Sequence, residues 1–194
     1  MGLVLLLGGT RSGKSRLAVR LAGAAGGPVV VIATGEPRDD EMLARIRRHR
    51  AERPADWATV EEPIDLARAL TGTPDEATVL LDCLTLWVSN LMELGLTDPE
   101  IEGRARTAAA LAAGRRAPTV VVSNEVGSGI VPVSQVARRY ADLLGQVNAI
   151  WAEAAERTVL CVAGRIVRLD DPSTVVDLLF GRSEGPADGG RDDG

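Results

Sequence analysis

The sequence predicts an α/β fold in three layers, with helices on both faces of a mostly parallel central sheet. Three observations carry this. Short runs of Val, Leu and Ile alternate with longer helical stretches along most of the 194 residues, as βα units do. Several runs are apolar at consecutive positions, the pattern of strands covered on both faces. The first run leads through a Gly-rich segment into a helical stretch, an order that phosphate-binding sites require.

Taken in order, Leu-Val-Leu-Leu-Leu at 3–7 reads as a buried strand and 15–25 as the helix after the Gly-rich turn. Pro-Val-Val-Val-Ile-Ala at 28–33 is the second strand. The helix at 39–52 has an apolar side of Met42, Ile46 and Leu43. A short strand is expected at 57–60 and a helix at 63–70. The strand Thr-Val-Leu-Leu-Asp at 78–82 precedes helices at 84–94 and 99–115. Thr-Val-Val-Val-Ser at 119–123 is followed by a long helix at 134–156. Thr-Val-Leu-Cys-Val at 158–162 pairs with an antiparallel edge at 166–169, and a last helix is expected at 173–179.

One domain spanning 1–180 accounts for these elements. The stretch 181–194 is Gly- and Asp-rich without periodicity, and is expected to be a disordered tail. No apolar run reaches transmembrane length, and no basic leader precedes the first apolar run, so a cytoplasmic protein is expected. Cys83 and Cys161 sit in apolar surroundings and read as buried thiols. A net charge of −5 and 3% aromatics speak against nucleic-acid binding.

Gly8-Gly9-Thr10-Arg11-Ser12-Gly13-Lys14-Ser15 fits G-x-x-x-x-G-K-[ST], so the fold is P-loop NTPase-like. Lys14 is the only lysine; every other basic residue of the 22 is Arg. Glycines let successive backbone N–H groups turn towards phosphate oxygens. Lys14 then reaches the β- and γ-phosphates, and the Ser15 hydroxyl ligates Mg²⁺. Asp82, closing an apolar strand, reads as the carboxylate that helps hold Mg²⁺ directly or through water; an N-cap for the next helix is the competing reading. Thr34, at another strand end, is either a ribose or phosphate contact or an ordinary strand exit. The segment 122–132, with Asn124 and Glu125, belongs on the same sheet edge. His49 is the only histidine, with Arg45 and Arg53 four residues to either side. It is a surface residue of a basic helix or a neutral nucleophile for phosphorus.

Together these segments resemble the bifunctional adenosylcobinamide kinase/adenosylcobinamide-phosphate guanylyltransferase family of cobalamin biosynthesis. The matching pieces are the P-loop, Ile32-Ala33-Thr34, Asp40-Glu41-Met42 through His49, Arg53-Pro54 and Trp57. They continue through Leu81-Asp82-Cys83-Leu84-Thr85, Asn90-Leu91, Asn124-Glu125-Val126-Gly127 to Pro132, and Gly145-Gln146-Val147-Asn148. The resemblance implies phosphorylation of adenosylcobinamide by ATP or GTP. GMP then passes from GTP to that phosphate through a guanylylated histidine, whose place His49 takes. It implies nucleotide contacts at Gly8 to Ser15, at Ala33, Thr34 and Gly35, at Arg50, Ala51, Glu52 and Arg53, and at Glu61 and Asp82. It also implies a homotrimer with the site near a subunit boundary. Some relatives carry a second histidine where this chain has Arg48. Two other classes compete. A GTPase switch reads guanine through Asn-Lys-x-Asp, which a chain whose sole lysine lies in the P-loop cannot build. A plain small-molecule kinase would leave His49 unused.

Overall fold

The computed structural model describes residues 2–174. The tail expected at 181–194 lies outside them, as does most of the helix expected at 173–179. The strands are β1 Leu3–Gly8, β2 Val29–Ala33, β3 Ala58–Glu61, β4 Thr78–Asp82, β5 Thr119–Val122, β6 Arg157–Val162 and β7 Arg165–Leu169. The helices are α1 Lys14–Ala24, α2 Asp40–Ala51, α3 Leu66–Gly72, α4 Leu84–Glu93, α5 Asp98–Ala113 and α6 Gln135–Ala154. One sheet runs in the order β3-β2-β4-β5-β1-β6-β7. It is parallel except for β7, which returns beside β6.

Side-chain alternation along β1 sets the three layers. Leu3, Leu5 and Leu7 point into a core shared with α3, α4, α5 and α6. Val4 and Leu6 point to the other face, where α1 lies. That helix buries Ala18 and Ala22, small residues that let its backbone sit close to the sheet. The apolar runs therefore became central strands because both faces are covered.

Two boundaries moved for local reasons. The helix expected from residue 63 begins at Leu66. Glu62 Oε1 accepts from the N–H groups of Ile64 at 3.1 Å and Asp65 at 2.9 Å, holding 62–65 as a turn. Asp65 then caps α3 by accepting from Arg68 N at 3.0 Å. At α1, Gly13 takes φ 97°, so the helix starts at Lys14 directly from the loop.

Glu62 is buried and also pairs with Arg68. Burial pushes its carboxyl up, but the two backbone N–H donors and Arg68 outweigh that and hold it below the usual value of 4.5. A depressed folded-state value stabilises above the unfolded value, and the effect is lost as pH falls through the folded one. Glu62→Ala should therefore cost about 1–3 kcal/mol near neutral pH. The deficit against the parent should shrink once urea-unfolding series are run below about pH 4.5. A pH-independent deficit would contradict the charge-assisted role.

Candidate active site

The carboxyl ends of β1, β2, β4 and β5 form one edge, where parallel sheets hold ligands. Glu61, Ala33, Asp82 and Val122 fall on a single rung there. The P-loop wraps the end of β1. Gly8 is required by contact: a Cβ on it would stand 2.5 Å from the Cys161 carbonyl oxygen and 2.8 Å from Ser12 Oγ, at φ +149°. The neighbouring oxygen is backbone and cannot swing away. Gly8→Ala should lower stability by about 1–3 kcal/mol and drop Tm by several degrees in a thermal melt, with nucleotide affinity falling alongside. Gly164, in the turn between β6 and β7, braces the loop by donating its N–H to the Ser12 carbonyl at 2.9 Å.

Lys14 is buried, and its Nζ donates to the Gly9 carbonyl at 2.9 Å. Burial lowers its ammonium below the usual value, with the Arg45 charge adding to the same direction. A cleft of about 790 Å³ lies over the loop. One wall is the P-loop from Thr10 to Ser15 and the other is α2, through Arg45, Arg48, His49 and Glu52. It is a cationic groove with a backbone floor, the arrangement that receives a polyphosphate.

The residues of α2 carry the second half of the site. Asp39 caps the helix by accepting from Met42 N at 2.7 Å. Asp40 and Glu41 sit at its start and Arg48 and Arg50 at its end, each sign matching the helix dipole. Its apolar side, Met42 and Ile46, faces Leu86 across Gly35. A Cβ on Gly35 would reach Leu86 Cδ1 at 3.2 Å, so glycine there lets α2 come close to the sheet edge. The helix ends before Arg53, yet that side chain returns to the site. Arg53 Nη2 donates to Asp82 Oδ2 at 2.6 Å, and His49 Nδ1 lies 3.4 Å from the same oxygen. Burial alone would push the Asp82 carboxyl up; His49 and Arg53 together hold it below its ordinary value.

A second, smaller pocket opens on the other side of His49. Ala33, Gly35, Met42, Ile46, Arg50, Arg53, Glu61 and Asp82 line it, a mixture of apolar, cationic and carboxylate side chains. Asp82 does not cap α4; Cys83 occupies that position and makes no side-chain cap bond. Thr34 is fully buried, and its hydroxyl is already engaged. It donates to the Cys83 carbonyl at 2.7 Å and accepts from Cys83 N at 2.9 Å. Its side chain thus fastens β2 to the turn after β4, while its N–H donates to the Asp82 carbonyl at 3.0 Å and its own carbonyl accepts from Asn90. Ala51 is exposed at the end of α2 and contributes no side-chain chemistry. Glu125 turns its carboxylate onto Gly127 N at 2.7 Å, while the Asn124 N–H donates to Thr85 Oγ1 at 2.9 Å. Cys83 and Cys161 are buried free thiols, and burial pushes the Cys83 thiol to about 11.

Sequence reasoning did not find Arg16, Glu41 or Gly164 in the phosphate cleft, nor Thr59 and Leu86 in the smaller pocket. Met42 and Ile46, four residues apart, were the available signal for that pocket, but such a stripe also describes plain core. Asn90 was legible only as a matching residue. Its Nδ2 donates to the carbonyls of Thr34 at 2.8 Å and Pro63 at 3.1 Å, and its Oδ1 accepts from Arg38 at 2.9 Å. One buried amide thereby fixes the exit of β2.

Among the described residues no helix is long and apolar enough to cross a membrane. A solved protein from Pyrococcus horikoshii OT3 shares the fold, with a TM-score of 0.53, 11% identity and 88% of each chain covered. The bifunctional adenosylcobalamin biosynthesis protein CobP of Pseudomonas aeruginosa is 45% identical over 82% of this chain and 92% of its own length. The corresponding CobU protein of Salmonella typhimurium is 42% identical over 86% of this chain and 99% of its own. The sequence model described as cobinamide kinase / cobinamide phosphate guanyltransferase matches residues 4–169, nearly all of the described chain, and the chain belongs to that family.

Proposed function

We propose that this protein phosphorylates the aminopropanol hydroxyl of adenosylcobinamide with ATP or GTP. It then transfers GMP from GTP to that phosphate through a guanylylated His49, giving adenosylcobinamide-GDP in cobalamin biosynthesis. One observation carries the second step. His49 lines both the cleft over the P-loop and the smaller pocket that Glu61 also lines. A single GTP can lay its triphosphate on the loop and its base in the pocket, which brings the α-phosphorus to His49. Glu61 offers the base a carboxylate that can accept from the N–H groups of guanine's Watson–Crick edge.

In the guanylyl step a lone pair of His49 attacks the α-phosphorus in line with the departing pyrophosphate. The P–N bond forms as the bond to the bridging oxygen breaks, and pyrophosphate leaves with that electron pair. Lys14 and the loop amides offset the charge on its oxygens. The cobinamide phosphate then displaces His49, restoring the imidazole. Two steps through a covalent intermediate replace one difficult encounter of two anions. The phosphoryl step needs positioning and charge neutralisation more than a base, which suits an Asp82 already engaged by Arg53.

Mg²⁺ fits this donor set. Ser15 and Asp82 line one small pocket together with His49. The Asp82 contacts of His49 and Arg53 both fall on Oδ2, leaving Oδ1 for the ion or its water. One hydroxyl and one carboxylate suit an ion otherwise held by phosphates and water, and when bound it would neutralise phosphate charge. A homotrimer needs subunit contacts, and Ile130, Val131 and Val133, which are 97%, 74% and 98% exposed, form a cluster of the kind that such contacts cover.

Incubation of active protein with GTP labelled at the α-phosphate tests the reading. An acid-labile, alkali-stable label on His49 that chases into cobinamide phosphate is the expected result. No covalent label under Mg²⁺-replete conditions would leave a plain kinase.

A further inference from the structure

Asp82 sits where a P-loop protein keeps its metal carboxylate, yet its nearest side-chain partners are His49 and Arg53. The three come from separate elements. Asp82 closes β4, His49 lies in the last turn of α2, and Arg53 follows the end of that helix. The His49 and Asp82 side chains are 24% and 15% exposed, so both are largely shielded from water, where a carboxylate–imidazole contact has force.

We propose that Asp82 is the positioning residue of the nucleophile, and that the guanylylated atom of His49 is Nε2. The proposal rests on the guanylyl-histidine reading above. Nδ1 faces Asp82 Oδ2 at 3.4 Å, a long contact of the kind that tightens when substrate is bound. An ionised carboxylate only accepts, so the ring nitrogen facing it carries the proton. The other nitrogen, Nε2, then holds the lone pair on the opposite edge of the ring. Arg53, bonded to the same carboxylate oxygen at 2.6 Å, keeps Asp82 from turning away. It thereby fixes the ring through the carboxylate.

The step balances without another reactant. The Nε2 lone pair forms the P–N bond, and the pyrophosphate leaves with the electrons of the broken P–O bond. The Nδ1 proton stays on the ring, and the positive charge that develops there faces Asp82. Departure of GMP to the acceptor phosphate returns the lone pair to Nε2. The ring needs no proton exchange with solvent in either direction. A carboxylate behind a histidine performs this tautomer-holding in hydrolytic triads, where its amide replacement lowers kcat by about 10⁴-fold through the wrong tautomer.

The test reads the site of attachment. Protein labelled with α-³²P GTP is treated with periodate and mild base to strip the nucleoside. After alkaline hydrolysis the phosphohistidine is compared with the 1- and 3-phospho standards. The expected product is 3-phosphohistidine, which marks Nε2. A labelled His49 recovered as 1-phosphohistidine overturns this proposal while leaving the guanylyl-histidine reading intact; an unlabelled protein overturns that reading instead. Asp82→Asn, which also alters a Mg²⁺ ligand and so slows both half-reactions, should lower the labelling rate by about 10²–10⁴-fold and yield residual label containing the 1-isomer. Residual label that is still purely the 3-isomer would mean that Asp82 acts on the phosphates alone. The isomer found in the unmodified protein decides the matter even if the variant does not fold.

Discussion

Lys14→Ala is expected to abolish both half-reactions, with kcat/KM for each falling by about 10²–10³-fold or more. Lys14 is the one side-chain ammonium in the chain, and it projects from the first residue of α1 into the loop that must hold the β- and γ-phosphates. Both reactions build negative charge on those phosphates: one on the transferred γ-group, the other on departing pyrophosphate. A compact, movable charge serves both. Its partner in the structure is a neutral carbonyl, and burial already disfavours its charged form. The ammonium is thus held where it costs stability and is relieved when a polyanion arrives. Lys14→Ala should accordingly melt no lower than the parent while binding nucleotide far more weakly by titration calorimetry. Lys14→Arg should fail almost as badly. A planar guanidinium is larger and carries its donors in a fixed fork, and the loop closes on Lys14 with Gly8 and Gly13 both under close contact. A variant that loses guanylyl transfer but keeps the kinase would contradict the shared phosphate site.

The layers of this fold were readable because their cause is local. Val- and Leu-rich runs covered on both faces made the strands, and the P-loop fixed its own strand and helix. Lys14 and Ser15 were legible for the same reason: their roles are set by a continuous segment. What the sequence hid was assembly across segments. The junction of His49, Asp82 and Arg53 joins an element end at 82 to a helix and its exit thirty residues earlier, and depends on the register that sets Ala33 beside Asp82. The brace of Gly164 on Ser12 likewise joins the two ends of the described chain, and an Ala-Gly turn gives no hint of its partner. Thr34 was read as a possible ligand contact because strand ends hold ligands. Its hydroxyl instead satisfies two backbone groups of Cys83, a demand visible only once β2 and β4 are paired.

His49→Ala is expected to remove the covalent label completely and to leave cobinamide phosphorylation within a few-fold of the parent. The asymmetry follows from where the side chain stands. His49 looks into the cleft from α2, across from the P-loop, and none of the loop's bonds depends on it. The Lys14–Gly9 contact, the Gly164 brace and the Asp82–Arg53 pair all survive its truncation. Losing a nucleophile is a different kind of loss from losing a charge. Removing Lys14 weakens stabilisation of a transition state, whereas removing His49 deletes the bond that forms, so no intermediate can accumulate. The sharp readout is therefore the pair of variants together. Label absent with kinase retained in His49→Ala, against both lost in Lys14→Ala, divides the phosphate cradle from the nucleotide carrier. Should His49→Ala lose both reactions equally while remaining folded, the histidine would belong to the phosphate site itself. The two-step path through a guanylylated side chain would then have no support from this residue.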